Sequence, residues 1–188
     1  MTPVMTEEMP WSEGLIAAAL ARQTFASKCL VILPNCYFTG FECDLLVVTM
    51  DMRVIDVEVK ISRADLKADA RKDKWWQRDT RWLPHGVERG PSVARQWPPR
   101  VWKHYYALPR DIWKPELAES LASSASGVLL LHRHQPARAG LVVRCERRAK
   151  PDRQAQKIGD RHALGLARLA SLRMWDAIES LREAVPCG

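Results

Sequence analysis

The chain has 188 residues, a 47% apolar share and a net charge of +7, which suits a single domain with its own core. No apolar run is long enough to span a membrane, and the acidic N-terminal stretch lacks the basic leader and apolar segment of a secretory signal. Five cysteines (Cys29, Cys36, Cys43, Cys145, Cys187) include no C-x-x-C pair and are odd in number, which argues against a zinc or iron–sulfur site and a disulfide framework, and makes reduced thiols in a cytoplasm the expectation.

In chain order, residues 1–10 read as a loose tail. Residues 11–23 read as a helix, with Ser12 as N-cap, Leu15, Ile16, Ala19 and Leu20 as its apolar face, and Glu13 in its first turn. Residues 28–33 suit a strand, ended by a Pro34-Asn35 turn. Residues 37–49 and 54–61 read as two buried strands, rich in Val, Leu and Ile and separated by a polar turn. Ser62 is an N-cap for a helix from 63 to about 77. Residues 77–103 hold Pro84, Pro91, Pro98 and Pro99 with Gly86 and Gly90, and read as a long irregular loop. Strands are expected at 104–108, 127–132 and 140–145, a short helix at 115–123, a break at Lys150-Pro151, and a helix over 152–184 that packs on the core.

The informative residues are the charges inside the two buried strands. Burying a charge is costly unless it is paired or bound to a metal. Side chains alternate along a strand, so Glu58 and Lys60 point the same way, about 6.6–6.8 Å apart along the chain. If the strands form a hairpin, Asp44 converges with them. Clustered carboxylates suit a hard divalent cation such as Mg²⁺, which takes one or two protein carboxylates and leaves other positions to water and substrate phosphate. Asp44 and Glu58 are the candidate ligands, with the Val59 carbonyl as a third. Lys60 is placed to act on a water or a phosphate oxygen. Glu42 reads as a neighbour of the site and Asp56 as a solvated edge charge. The alternative for Glu58-Val59-Lys60 is a solvent-facing ion pair.

Charge is unevenly spread. Residues 1–59 carry 3 basic and 8 acidic side chains, 60–114 carry 14 and 6, and 132–173 carry 11 and 3. An acidic half thus holds the proposed site, and two basic segments flank it, either as a solvated surface or as a phosphate-binding one. In the 77–103 segment Arg78, Arg81, Arg89, Arg95 and Arg100 interleave with Trp82, Trp97 and Trp102. Guanidinium binds phosphate and indole stacks on an unpaired base; the other reading is that the indoles anchor the loop. Arg63, Lys67, Lys74, Arg78, Arg81, Trp82, Arg95, Trp97 and Arg100 are the candidate nucleic-acid contacts. His132 and His134 read as a surface pair rather than as metal ligands. No Walker-type loop is present, so no nucleotide cofactor is expected.

Asp44 followed by Glu58-Val59-Lys60 resembles the PD-(D/E)XK nuclease superfamily, with Cys43-Asp44 in place of the usual Pro-Asp. The stretch from Val54 to Asp69 is similar to the MmcB-like DNA-repair branch, and Asp69, Lys74 and Trp75 match its following helix loosely. The resemblance covers about residues 11–150. It implies an α/β, restriction-endonuclease-like core (a mixed β-sheet flanked by helices), with 77–103 as an insertion and 151–188 as a helical appendage. It also implies a Mg²⁺- or Mn²⁺-dependent DNase of DNA repair, recombination or mobile-element processing, which leaves a 5′-phosphate. A helix before the first core strand often donates a further acid in that superfamily, a role for Glu13 beside the helix-dipole reading. DNA is the expected partner, and a homodimer is compatible because cutting both strands needs two sites. The other functions the sequence admits are a non-catalytic DNA-binding or repair scaffold and an RNA-processing nuclease.

Overall fold

A computed structural model describes residues 10–134 and 140–184, with the side chains of 78–82 and 89 outside that description. The expected tail therefore falls almost wholly outside the described residues, as does Cys187. The molecule is mixed α/β. Six strands form one sheet in the order β1 (Cys29–Tyr37), β2 (Glu42–Thr49), β3 (Val54–Val59), β6 (Lys103–Pro109), β7 (Gly127–Arg133), β8 (Leu141–Arg147), and β4 (Trp76–Leu83) pairs only with β5 (Gly86–Ala94). The central strands β3, β6 and β7 are parallel and the outer pairings are antiparallel.

Alternation on β3 decides the two faces. Ile55, Val57 and Val59 join Leu45, Val47, Ala107 and Leu129 under helix α1 (Glu13–Leu20), whose Ile16 and Leu20 are fully buried. Burying each such side chain contributes about 1.5–3 kcal/mol. Ser12 caps α1 as expected, its Oγ accepting the Leu15 N–H at 3.3 Å, and the chain then widens into a π turn over Ala21–Phe25. The opposite face carries two apolar clusters. One gathers Leu66, Trp75, Tyr106, Leu108 and Trp113; the other gathers Val31, Leu33, Leu46 and Val48 with Leu166 of α3 (Asp160–Ala184). Asp56, Glu58 and Lys60 lie on this face.

Four sequence expectations need correction. Pro34-Asn35 does not end β1, which runs on to Tyr37. β1 is an edge strand, so the missing proline N–H costs no ladder bond, and Asn35 takes a φ of 46°. The helix after Ser62 is short: α2 spans Arg63–Asp69, and a 3-10 turn over Asp73–Trp75 leads into β4. The 77–103 segment is largely a β-hairpin: Pro84-His85 forms its turn, followed by Gly86 at φ 147°, and a register shift beyond Arg78–Ser92 absorbs Gly90-Pro91. Finally, α3 begins at Asp160, and only its first half packs on the core. Leu166, Ala167, Leu169 and Ala170 pack against the sheet and Ala163 is buried, whereas Met174, Trp175 and Leu181 are more than half exposed. Arg173 ties the helix to the Pro34 and Asn35 carbonyls.

Candidate active site

The β2–β3 hairpin closes as the sequence suggests. Thr49 N–H donates to the Arg53 carbonyl at 2.9 Å, and Met52 takes a φ of 64° in the turn. Its ladder ends at Leu45–Val57, one step before Asp44 and Glu58. At that step Asp44 uses its side chain: Oδ2 accepts the Val59 N–H at 2.7 Å. The strand alternation slips here, because Cys43 is buried in the same cluster as Leu46, three residues on. Asn35, opposite, has the left-handed φ noted above.

Glu58 is fully buried, and three ammoniums surround it. Lys60 Nζ lies 2.7 Å from Oε2, Lys72 Nζ 2.8 Å from the same oxygen, and Lys74 Nζ 2.5 Å from Oε1. Asp69, at the end of α2, is the second buried acid of the cluster. Its Oδ2 accepts from the Tyr106 hydroxyl at 2.6 Å and the Trp75 indole at 3.0 Å, and its Oδ1 lies 3.3 Å from Lys60 and 3.0 Å from Lys72. Deeper in, Asp56 meets Lys74 at 3.4 Å and lies 3.8 Å from His104 Nε2, while His104 Nδ1 is 3.0 Å from Ser126 Oγ.

These contacts set the protonation states. Burial pushes Asp44 up, the neighbouring Glu58 adds to the push, and its pKa reaches about 6. Burial would raise Glu58 too, but Lys74 and Lys60 outweigh it and hold the carboxyl below its usual range. Asp69 follows the same balance and is lowered by Lys74, Lys60 and the Tyr106 bond. Asp56 goes the other way, because burial exceeds the pull of Lys74. His104, buried and facing Lys74, is held well below the ordinary imidazole value and is neutral.

The structure thus brings Asp44, Glu58 and Lys60 together as the sequence suggests, and corrects several neighbours. Asp56 is no solvated edge charge; it is 1% exposed. Lys74 is 1% exposed and committed to Asp56 and Glu58, so it is no surface contact for nucleic acid. Glu13 is exposed on α1, which packs on the opposite side of the sheet, so it does not join the cluster. Val59 contributes its amide to Asp44. Arg63 donates to the Ile112 and Asp111 carbonyls and pins α2 to the end of β6, while Lys67 and Arg100 are exposed. Trp97 gives its indole N–H to the Lys150 carbonyl and anchors its segment, and Arg95 is half-buried beside it. The side chains of Arg78, Arg81 and Trp82 lie outside the described residues. Glu42 is exposed; His132 is half-buried and His134 exposed at the end of β7.

A metal at this site could use the Asp44 oxygen that does not face Val59, together with the Glu58 Oε2 and Asp69 Oδ1 oxygens now shared by Lys60 and Lys72. Among the described residues no set of three or more His, Cys, Asp or Glu is arranged to hold an ion. Mg²⁺ bound mostly by water and phosphate needs fewer, so the donor set fits such an ion once an ammonium gives way.

No family model and no curated protein matches this chain. Among solved structures it is similar to a protein of unknown function from Silicibacter pomeroyi, at 18% identity and a TM-score of 0.53, over 96% of this chain and 98% of the other. That likeness concerns the fold alone. Among the described residues, no helix is long and apolar enough to cross a membrane.

Proposed function

We propose that the protein is a metal-dependent nuclease acting on DNA, with a restriction-endonuclease-like core. One observation carries the reading: Asp44 and Glu58, from adjacent strands, meet at the end of β3 with Lys60 Nζ 2.7 Å from Glu58. A bound Mg²⁺ or Mn²⁺ would supply Lewis-acid polarisation of a phosphoryl oxygen and a more acidic water. Asp44 and Glu58 would hold it. Lys60, fixed by Glu58 and Asp69, keeps its buried ammonium beside the proposed ligands, where it would orient a phosphate oxygen. The Val59 amide holds Asp44 in place, and Tyr106 and Trp75 hold Asp69.

The surroundings suit a polyanion. Arg63, Arg110 and Arg133 stand at the C-terminal ends of β3, β6 and β7, where ligands of parallel sheets bind. A cavity of about 550 Å³ lined by Trp11, Arg110, Asp111, His132 and Arg133 opens at the ends of β6 and β7, toward the side of the sheet that α1 covers. The β4–β5 hairpin starts directly after Lys74 and Trp75, so its Arg- and Trp-bearing sequence is rooted beside the cluster.

The test is cleavage of labelled single-stranded, duplex and branched DNA, and of matched RNA, with Mg²⁺, Mn²⁺ or EDTA. Metal-dependent cutting of DNA is expected; cutting of RNA alone would reassign the substrate. A second reading, a DNA-binding scaffold without catalysis, is favoured by the three ammoniums that already neutralise Glu58. Tight binding without cutting under either metal would support that reading instead.

A further inference from the structure

Resting on the nuclease reading, we propose that Lys72 is a built-in counter-cation that competes with the divalent ion for Glu58 and Asp69, and that it must swing out before the metal loads. Three observations converge. First, the ammoniums differ in freedom. The side chains of Lys60 and Lys74 are 3% and 2% exposed, whereas that of Lys72 is 46% exposed and reaches in from the surface. Second, Lys72 Nζ bridges two buried carboxylates from different elements, at 2.8 Å from Glu58 Oε2 and 3.0 Å from Asp69 Oδ1. Bridging carboxylates is what a hard divalent cation does. Third, the Asp69 oxygen at that bridge lies in a residue of zero exposure and is held by ammoniums alone, Lys72 at 3.0 Å and the buried Lys60 at 3.3 Å.

The physical consequence is a site that folds without metal. Glu58 and Asp69 repel each other, and a buried carboxylate short of counter-charge is costly; the Lys72 ammonium adds to Lys60, which meets the same two oxygens, in relieving both. The same contact weakens metal binding, because the ion must displace a charge already in place. Lys72 can leave at low cost, since its long stem is at the surface and its head returns to water.

The test is Mn²⁺ binding by electron paramagnetic resonance, with thermal unfolding alongside, on wild type, Lys72→Met and Lys72→Met/Asp44→Asn. Lys72→Met keeps the stem and removes the charge. It should bind Mn²⁺ about tenfold more tightly than wild type or better, melt lower without metal, and gain more from added Mn²⁺. If it folds only with Mn²⁺, the inference also stands. Equal or weaker Mn²⁺ affinity in folded Lys72→Met, or a variant that Mn²⁺ fails to rescue, overturns it. Wild type and Lys72→Met binding equally, with binding lost in the double variant, would sink the Lys72 inference alone. No binding in any variant would sink the metal site of the nuclease reading with it.

Discussion

An ammonium of this cluster is costly to remove where its loss leaves a buried carboxylate without a cation. Lys74 is the clearest case, because it serves both Asp56 and Glu58 and is itself buried. Lys74→Met is expected to cost about 3–5 kcal/mol in denaturant unfolding, the range for breaking one side of a buried pair. A loss under about 1 kcal/mol would contradict the pairing. Asp44 gives a pH signature. Its folded-state pKa is raised from 3.8 to about 6 by burial and Glu58, so the folded state holds its proton more tightly. Its contribution to stability is present below pH 3.8 and is lost as pH rises to about 6. Asp44→Asn should therefore gain stability relative to wild type across that window and run parallel above it; urea midpoints measured from pH 4 to 7 check this. Glu58 and Lys60 were legible in the sequence because strand alternation fixes their side, and Asp44 because closing the hairpin brings it to the end of β3. Asp56 obeys the same alternation, yet its burial was not legible: its partners, Lys74 and His104, come from a 3-10 turn and a crossover strand. Lys72 and Lys74 lie in a Lys-Asp-Lys-Trp-Trp run that reads as helix, and only the early end of α2 turns them inward.

Elements that rest on local signals were read well, and those set by tertiary position were not. Ser12 and Ser62 cap helices through their own hydroxyls. Pro34 reads as a breaker unless one knows that its strand is an edge, and the prolines of 77–103 hide a hairpin that needs no partner on its outer side. That hairpin meets the core near its base, through the Arg95 N–H on the Trp75 carbonyl at 2.7 Å and the Trp76 indole on the Ala70 carbonyl at 3.2 Å. Replacing residues 78–92 by a tight Asn-Gly turn, which joins the paired Gln77 and Val93, should leave the melting temperature within a few degrees. The excision removes Arg78, Arg81 and Arg89 and should make the salt dependence of DNA binding shallower, by a log–log slope of about 1–3. An unchanged slope would mean that the hairpin does not touch phosphate. Truncation after Arg173 keeps the α3 contacts to the sheet and removes the exposed Trp175 and Leu181. The shortened chain should unfold at a denaturant midpoint close to that of the full chain.

At the scale of the whole molecule, one sheet carries two different faces. Helix α1 covers a purely apolar side of β3, and the other side holds a charged cluster between two apolar ones. That division follows from a single strand in which Val57 and Val59 alternate with Asp56, Glu58 and Lys60. The basic segments 60–114 and 132–173 supply the crossover and the far half of the sheet, so an acidic centre acquires basic flanks. The proposed function requires this centre to hydrolyse phosphodiester bonds with Asp44 as a metal ligand. The most direct measurement compares wild type with Asp44→Asn for Mn²⁺-dependent DNA cleavage. Asparagine keeps the acceptor for the Val59 amide and removes the charge, so the fold should survive. Asp44→Asn should cut at least about 100-fold more slowly with an intact melting transition; equal cutting by the folded variant would rule Asp44 out as a metal ligand.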